Sequence, residues 1–221
     1  MGCNICLEDA TADDQSTWSI ENQVCTNCNS KPRVRAMKCA VSELLAPTLD
    51  SMSLLGTAES LLIAASGIER SIIDPVLGQV TPGSLFGNYG DNHVTTDIVD
   101  LKEFDDDRFD LFSASLLFDY VPRTEDALDS VSRVLRNRSV MFFHIGEGRL
   151  HPDDRPPYVK RMRTDWTAKY YPEDYEQPIV KMGRKWIENK LQSLGFTTTQ
   201  HTRSEPSSPK NITWWLARRD G

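Results

Sequence analysis

Four of the five cysteines form two pairs with the same internal spacing. Cys3 and Cys6 make the first C-x-x-C pair, and Cys25 and Cys28 make the second, with residues 7–24 between them. Four thiolates at this spacing can surround one zinc ion tetrahedrally at about 2.3 Å. Two disulfides or four free thiols are the alternatives; a reducing compartment disfavours the first and the paired spacing disfavours the second. The pattern therefore predicts a structural zinc site, since four cysteines leave no open position for a substrate.

The zinc site would belong to a small N-terminal module over residues 1–45, a zinc ribbon with a connecting helix. A segment this short cannot bury a core of its own, so metal binding would supply its folding free energy. The fifth cysteine, Cys39, stands in the amphipathic stretch 33–45. We expect Cys39 to be a buried helix residue rather than a fifth ligand.

Composition and charge restrict the class of protein. Of 221 residues, 39% are hydrophobic and 26% are charged, which is typical of a chain with a packed core. The net charge of -7 makes nucleic acid an unlikely partner unless a local basic patch exists. One basic cluster directly follows the last paired cysteine and consists of Lys31, Arg33, Arg35 and Lys38. It would hold phosphate in a nucleic-acid enzyme, but on this acidic chain we favour a role at the junction between the ribbon and the following domain.

Apolar runs in the sequence are short. None approaches the roughly 20 residues needed to cross a bilayer, and Met1 is followed almost at once by cysteines and acidic residues. The sequence therefore predicts neither a membrane span nor a secretory signal, and we expect a cytoplasmic protein with no membrane partner.

From Ser60 onward, short apolar runs alternate with longer amphipathic stretches. This alternation is typical of a mostly parallel sheet covered by helices. The last two predicted strands are joined by a short Ser- and Pro-rich connection, so they must be antiparallel neighbours. The predicted strands are 61–65, 84–89, 93–98, 109–115, 140–145, 196–202 and 211–218, and the predicted helices are 68–77, 126–135 and 179–194.

A long stretch at 146–178 is rich in Pro, Arg, Tyr and Asp and has no sustained periodicity. A loop of this length in a compact domain usually covers a site. Its arginines and aromatic residues suit a planar or carboxylate-bearing small molecule, because Arg can hold a carboxylate with two parallel hydrogen bonds. A solvated loop surface or a homodimer contact is the alternative.

Four segments resemble class I S-adenosylmethionine-dependent methyltransferases. Residues 97–110 resemble the D-I-x-x-L-x-F-x-D-x-x-F-D stretch of that family, and residues 116–122 resemble its h-V-L-E-H-V-x-D segment. Residues 133–139 resemble R-V-L-K-P-G-G, and residues 190–196 resemble the late L-x-x-x-G-F. A subgroup of the family carries a zinc ribbon in front, which fits the paired cysteines.

The resemblance covers roughly residues 58–218 and implies a fold. We expect an α/β, Rossmann-like methyltransferase domain over residues 46–221, in which a mostly parallel seven-stranded sheet is closed by a C-terminal antiparallel hairpin. The 146–178 stretch would be its covering loop.

The resemblance also implies a site for S-adenosylmethionine, although several motif positions are altered. The family's glycine-rich turn corresponds to residues 64–69, where Gly67 is the one clear glycine. The acid that accepts hydrogen bonds from the ribose corresponds to Asn88, whose amide oxygen gives weaker bonds. Asp97 matches the acid that holds the adenine amino group. The cofactor-binding residues implied are Ala65, Ser66, Gly67, Asn88, Asp97, Ile98 and Ser113.

Methyl transfer from a sulfonium needs few catalytic groups, because the donor is already activated. Candidates for a general base lie where parallel strands end, at Asp119, Tyr120 and His144. A histidine is poised to titrate near neutral pH, but His144 is as well explained as a hydrogen-bonded residue of the sheet rim. Tyr120 would alternatively pack on the core, and Asp119 would cap the following segment.

These features together predict methyl transfer from S-adenosylmethionine to a small-molecule acceptor in a specialised biosynthetic pathway. The altered motifs leave an alternative open. In it, a methyltransferase-fold protein has lost methyl transfer and either acts on another ligand or serves as a protein-interaction module.

Overall fold

The computed structural model describes residues 5, 18–19, 24–25, 28, 30–86, 92–163, 177–204 and 211–221. Two short strands near the N-terminus, β1 (Trp18–Ser19) and β2 (Val24–Cys25), pair antiparallel with Trp18 opposite Cys25. Cys3 and Cys6 lie outside the described residues, so only half of the predicted zinc set is placed.

A helical segment follows the paired cysteines. It consists of α1 (Pro32–Ala40), a π-helical turn (Val41–Leu45) and α2 (Ala46–Ser51). Pro32 stands in the first turn of α1, where its missing N–H removes no helical hydrogen bond. A helix over 33–45 is therefore confirmed, and it packs against one face of the central sheet.

The remaining elements alternate as the sequence pattern predicts. The strands, in chain order, are β3 (Glu59–Ile63), β4 (Gln79–Ser84), β5 (Val94–Thr95), β6 (Phe109–Ser115), β7 (Leu135–His144), β8 (Leu150–His151), β9 (Tyr158–Arg163), β10 (Gln177–Gly183), β11 (Thr197–Ser204) and β12 (Asn211–Asp220). The helices are α3 (Gly67–Ile73), α4 (Thr124–Val134) and α5 (Arg184–Ser193). No helix in the described part of the chain is long and apolar enough to span a membrane.

Seven strands form the central sheet in the order β11-β12-β7-β6-β3-β4-β5. Strands β3 to β7 pair parallel with one another, whereas β12 is antiparallel to both β7 and β11. The predicted Rossmann-like sheet, mostly parallel and closed by a C-terminal antiparallel hairpin, is confirmed.

Successive residues of the strands face opposite sides of the sheet and supply two cores. On one side, Leu62, Phe142 and Trp214 pack against α1, α2 and α3. On the other, Leu61, Phe143 and Trp215 pack with residues of α4 and α5. The buried aromatic residues continue across neighbouring strands, since Phe142 stacks on Trp214 with 4.7 Å between ring centroids. The helices on both faces fix the carboxyl ends of the parallel strands at one edge.

Two predicted elements are wrong in position. The strand predicted over 84–89 is β4, which spans Gln79–Ser84. The sequence does not indicate a strand at Pro82 and Gly83, because both residues are unfavourable in a strand interior. Pro82 is tolerated here because β5 pairs only with Gly83 and Ser84 on that side.

The helix predicted over 179–194 begins at Arg184, since residues 179–183 belong to β10. Strand β10 pairs with β8 on one side and with β9 on the other, making a small three-stranded sheet. The predicted loop over 146–178 therefore contains β8, β9 and the first residues of β10. Apolar side chains at 179, 180 and 182 match a helical repeat as well as a buried strand, and pairing with β9 decides the outcome.

Candidate functional site

The carboxyl ends of β3, β4 and β6 meet at one edge of the sheet, where ligands bind in open α/β folds. The chain leaves β3 through a tight turn into α3. Ala64 has a φ of +53° and donates its N–H to the carbonyl oxygen of Gly83 at 2.8 Å. The left-handed region favours glycine, so this turn keeps a glycine conformation at a position where the sequence has alanine.

Ser66 and Glu69 close the same turn by a reciprocal cap. The backbone N–H and the hydroxyl of Ser66 donate to Glu69 Oε2 at 2.9 and 2.8 Å, and Glu69 N–H donates back to Ser66 Oγ at 3.4 Å. The Ser-x-x-Glu spacing is the sequence signature of this arrangement. A Cβ added to Gly67 would meet no atom within 4 Å, so the outer side of the turn is open. The predicted cofactor residues Ala65, Ser66 and Gly67 all lie in this turn.

At the end of β4, a hydroxyl and an imidazole stand together. Ser84 Oγ donates to the carbonyl oxygen of Phe86 at 2.7 Å and lies 2.8 Å from His93 Nε2. Asn88, the predicted ribose-binding residue, lies outside the described residues. Within the described part of this strand end, the polar side chains are therefore a hydroxyl and an imidazole.

Asp97 follows β5, which runs beside the end of β4. Its Oδ1 accepts from the backbone N–H of Val99 at 3.0 Å, so the side chain stabilises its own turn. Ile98 is buried in the core, where its carbonyl oxygen accepts from the Ser130 hydroxyl. Ser113 is buried within β6 and does not reach the strand end. The structure thus brings Asp97 to the ligand edge and places Ile98 and Ser113 beneath it.

Asp119 occupies a short 3-10 turn, Phe118–Tyr120, just past the end of β6. The residue is 2% exposed, and its two carboxylate oxygens accept from the Gly146 N–H at 3.1 and 3.3 Å. Arg149 Nε lies 3.6 Å from Oδ2. Burial raises the pKa of Asp119 to about 7, because it disfavours the charged form more than Gly146 and Arg149 favour it.

The partners of Asp119 were not predicted from the sequence. A Cβ at position 146 would lie 2.8 Å from Asp119 Oδ2, so the close approach of the Gly146 N–H depends on the absence of a side chain. Arg149 belongs to a second 3-10 turn, Glu147–Arg149, that leads into β8. Tyr120, the next predicted catalytic residue, is half-buried beside Asp119.

His144 ends β7 and is 4% exposed. Its Nδ1 lies 2.8 Å from the carbonyl oxygen of Thr213, and its ring stacks on Trp214 with 5.5 Å between centroids. Burial lowers the pKa of His144 to about 4 despite the Thr213 bond, and nearby Arg33 lowers it further. The neutral ring therefore donates through Nδ1, and this geometry favours the sheet-rim interpretation over a catalytic base.

Arg33 comes to this edge from α1, although the sequence places it in the basic cluster after the cysteines. Its Nε donates to Ser115 Oγ at 3.2 Å, and its Nη2 lies 3.4 Å from Glu69 Oε1. Ser115 is the last residue of β6. The Arg33–Glu69–Ser115 cluster therefore joins α1 to the turn after β3 and to the end of β6. Arg33 and Ser115 are 82 positions apart, so no local sequence signal predicts their contact.

The two described cysteines of the zinc pattern lie close to α1. Cys25 is buried and donates its N–H to the carbonyl oxygen of Ser30 at 3.1 Å, while Cys28 Sγ lies 3.2 Å from Ser30 Oγ. No disulfide joins these two cysteines to each other. Among the described residues there is no group of three or more His, Cys, Asp or Glu side chains that could hold a metal ion.

The fifth cysteine, Cys39, lies on α1 as predicted. It is half-buried rather than buried, and its Sγ accepts from Arg203 Nη1 at 2.8 Å.

Comparison with known proteins supports the class defined by this fold and edge. The family model for a methyltransferase domain matches residues 82–143. A search of curated proteins finds no match. Among similar solved structures, the 1,6-didemethyltoxoflavin-N1-methyltransferase of Burkholderia thailandensis, with S-adenosylhomocysteine bound, is 14% identical with a TM-score of 0.56, covering 84% of this chain and 79% of its own.

A second similar structure is the S-adenosylmethionine-dependent methyltransferase of Mesorhizobium loti. It is 17% identical with a TM-score of 0.53, and the match covers 78% of this chain and 96% of that chain. At these identities the structures establish the fold alone. The matched domain and the fold together support an S-adenosylmethionine-dependent methyltransferase.

Proposed function

We propose that the protein transfers a methyl group from S-adenosylmethionine to a small-molecule acceptor, with Asp119 as the general base. The observation that carries the proposal is a buried carboxyl, with a pKa of about 7, at the ligand edge of a methyltransferase fold. A base with a pKa near the working pH combines a useful deprotonated fraction with enough driving force to accept a proton. Perturbed carboxyls of this kind are concentrated at functional sites.

The residues of the edge fit the methyl donor. S-adenosylmethionine, when bound, supplies a methyl group activated by its sulfonium. The left-handed turn at Ala64 and the open space at Gly67 allow a ligand to approach the backbone after β3. Ala65 and Ser66 would line this turn, and Asp97 would accept from the adenine amino group. Asn88, Ile98 and Ser113 are the remaining predicted contacts.

Asp119 would take the proton that the acceptor loses when its N–H or O–H group becomes methylated. The Gly146 N–H and Arg149 orient the carboxylate, and Arg149 also compensates its negative charge when Asp119 is deprotonated. Tyr120 lies beside Asp119 and would orient the acceptor. His144 would hold the rim of the sheet through Thr213 rather than exchange protons.

The acceptor would bind on the Arg149 side of the base. Arg149 leads directly into β8, so the small sheet of β8, β9 and β10 begins next to Asp119. We infer that this sheet forms a wall of the acceptor pocket, that the acceptor is small, and that the reaction belongs to specialised biosynthesis.

A structural zinc ion is the second part of the proposal. We infer that Cys3, Cys6, Cys25 and Cys28 hold one zinc ion in the module over residues 1–45. Pairing of β1 with β2, which ends at Cys25, supports it. Four thiolates satisfy the tetrahedral preference of zinc and leave the ion no catalytic position.

The alternative, a scaffold that no longer transfers methyl groups, is favoured by one observation. Asn88 stands at the position of the ribose-binding acid, and the described end of β4 carries the Ser84–His93 pair. Such a pair would suit another ligand, or none, if the protein serves as an interaction module.

Calorimetric titration with S-adenosylmethionine and S-adenosylhomocysteine tests the proposal. Binding with a Kd of about 1–100 µM corresponds to roughly 5–8 kcal/mol and is the expected result. Asp97→Ala should abolish it, whereas Asp100→Ala, an exposed aspartate of the same turn, should not. Thermal unfolding of both variants verifies that they fold. An absence of heat at millimolar ligand would favour the alternative.

A further inference from the structure

The Arg33–Glu69–Ser115 cluster contains a buried carboxylate oxygen that accepts no hydrogen bond from the described residues. Glu69 Oε2 receives both Ser66 donors, but Glu69 Oε1 is buried and makes no hydrogen bond within the described part of the chain. Its nearest cation is Arg33 Nη2 at 3.4 Å. An unsatisfied buried oxygen costs free energy, so its retention beside an arginine at a ligand edge points to a ligand.

The Arg33 guanidinium is held by two side chains but stays accessible to solvent. Its Nε is bound to Ser115 and its Nη2 faces Glu69, while its side chain remains 23% exposed. Trp214 Nε1 donates to the Arg33 carbonyl oxygen at 3.2 Å, which ties the first turn of α1 to β12. A guanidinium fixed in this way loses little conformational entropy when it binds a carboxylate.

The position of the cluster along the edge indicates which end of a ligand it would meet. In the sheet order β6-β3-β4-β5, Asp97 lies beyond β5 and Ser115 ends β6. Three strand spacings of about 4.8 Å separate these ends, a span of roughly 14 Å. An extended adenosyl amino acid with its adenine at Asp97 would cross the turn after β3 and bring its amino-acid end to Arg33.

The charges of the cluster match a zwitterion better than an anion. An α-amino acid presents a carboxylate and an ammonium side by side, and Arg33 and Glu69 offer the two opposite charges. A phosphate group would gain from Arg33 but would be repelled by Glu69. This argues against the phosphate-binding interpretation of the basic cluster for Arg33.

We propose that Arg33 binds the carboxylate of the cofactor's amino-acid end, with Glu69 and Ser115 as positioning residues. The inference rests on the proposed function and deepens it. Arg33 lies outside the α/β domain predicted from the sequence, on the helix that follows the cysteines.

Two ligands distinguish the contribution of the cofactor's amino-acid end to the affinity from that of its thioadenosine part. S-adenosylhomocysteine carries the amino-acid end, whereas 5′-methylthioadenosine has the same thioadenosine part without it. Calorimetric titration of the full-length protein should show that Arg33→Met lowers the affinity for S-adenosylhomocysteine by about tenfold or more, as expected for a lost charged hydrogen bond. The affinity for 5′-methylthioadenosine should stay within about twofold. Ser115→Ala removes only the hydrogen bond to Arg33 Nε. It should shift the ratio of the two affinities in the same direction by a smaller factor.

Lys31→Met is the matched control, because it removes the same charge from the exposed residue that precedes α1. It should leave both affinities unchanged. The inference is overturned if Arg33→Met lowers the affinities for both ligands by the same factor, or lowers neither. The proposed function stands in both cases. If the wild-type protein binds neither ligand, the proposed function fails and the inference fails with it.

Discussion

Two opposing effects act on the Asp119 carboxyl. Burial penalises its charged form, while the Gly146 N–H and the Arg149 guanidinium stabilise that form. Burial dominates, so folding raises the pKa of Asp119 from 3.8 to about 7. His144 shows the reverse case, because burial holds a base in its neutral form with a pKa of about 4. These two candidate bases thus differ in the pH range over which they exchange protons, and of the two Asp119 does so near neutrality.

Replacement of Asp119 by asparagine should therefore stabilise the protein in a pH-dependent way. Below pH 4 both folded and unfolded wild-type chains carry a protonated Asp119, so the two proteins should be similarly stable. Between about pH 4 and 7 the folded state holds the proton that the unfolded state releases, and wild-type stability falls as pH rises. Above pH 7 the variant should be more stable by up to about 4 kcal/mol, measured by urea denaturation.

Asp126→Asn is the control for this series, since Asp126 is an exposed aspartate on α4 paired with Arg123. Asp126→Asn should change the free energy of unfolding by no more than about 0.5 kcal/mol at any pH. A pH-independent difference between the Asp119→Asn variant and the wild type would show that the carboxyl is not destabilised by burial. Once an acceptor is known, Asp119→Asn should also slow methyl transfer by roughly 100-fold or more.

At the scale of elements, the turn between β3 and α3 holds an alanine in a backbone conformation that glycine adopts more readily. Ala64 adopts a φ of +53°, which costs an L-residue about 1–2 kcal/mol. The N–H bond to Gly83 and the Ser66–Glu69 cap hold the turn in place. The backbone path is thus determined by the neighbouring strand and cap as well as by the residue in the turn.

Ala64→Gly should relieve this strain. The gain is offset by the entropy that glycine adds to the unfolded chain, so we expect a net stabilisation of up to about 1 kcal/mol in urea denaturation. Ala65→Gly is the matched control: Ala65 is not among the residues with positive φ, so only the entropic cost of about 0.5–1 kcal/mol applies. Destabilisation of the same size in both variants would contradict the strain at Ala64.

The sequence predicts those elements whose signal is local. Strand β6 is predicted at its observed bounds, because an uninterrupted apolar run marks a buried parallel strand. Strand β7 is predicted only over its apolar half, at 140–145, whereas it begins at Leu135, which was predicted to end a helix. Strand β4 is missed because Pro82 and Gly83 are tolerated only through the short pairing with β5. For the site, residue type and strand position predict Asp119 and His144 as candidates. The contacts of Asp119 with Gly146 and of Arg33 with Glu69 depend on tertiary packing, and no local sequence pattern predicts them.

At the scale of the whole molecule, α1 connects the paired cysteines to the ligand edge. Ser30 accepts from the Cys25 N–H and from the Arg35 guanidinium, and Arg35 lies two positions beyond Arg33 on the same helix. Arg35 is almost wholly buried, so the start of α1 is held on both sides. A change at the cysteines should therefore be transmitted to Arg33 through the position of the helix.

Removal of zinc should consequently alter cofactor selectivity as well as stability. Metal analysis should return one zinc per chain, and Cys25→Ser should lose it, because a serine hydroxyl replaces a thiolate ligand. The variant should unfold at a lower temperature and should lose part of the preference for S-adenosylhomocysteine over 5′-methylthioadenosine, as we expect for Arg33→Met. Cys39→Ser, outside the paired pattern, should retain full zinc content. Purified protein without zinc would refute the metal site, and a zinc-free variant with unchanged selectivity would show that α1 holds Arg33 independently of the cysteines.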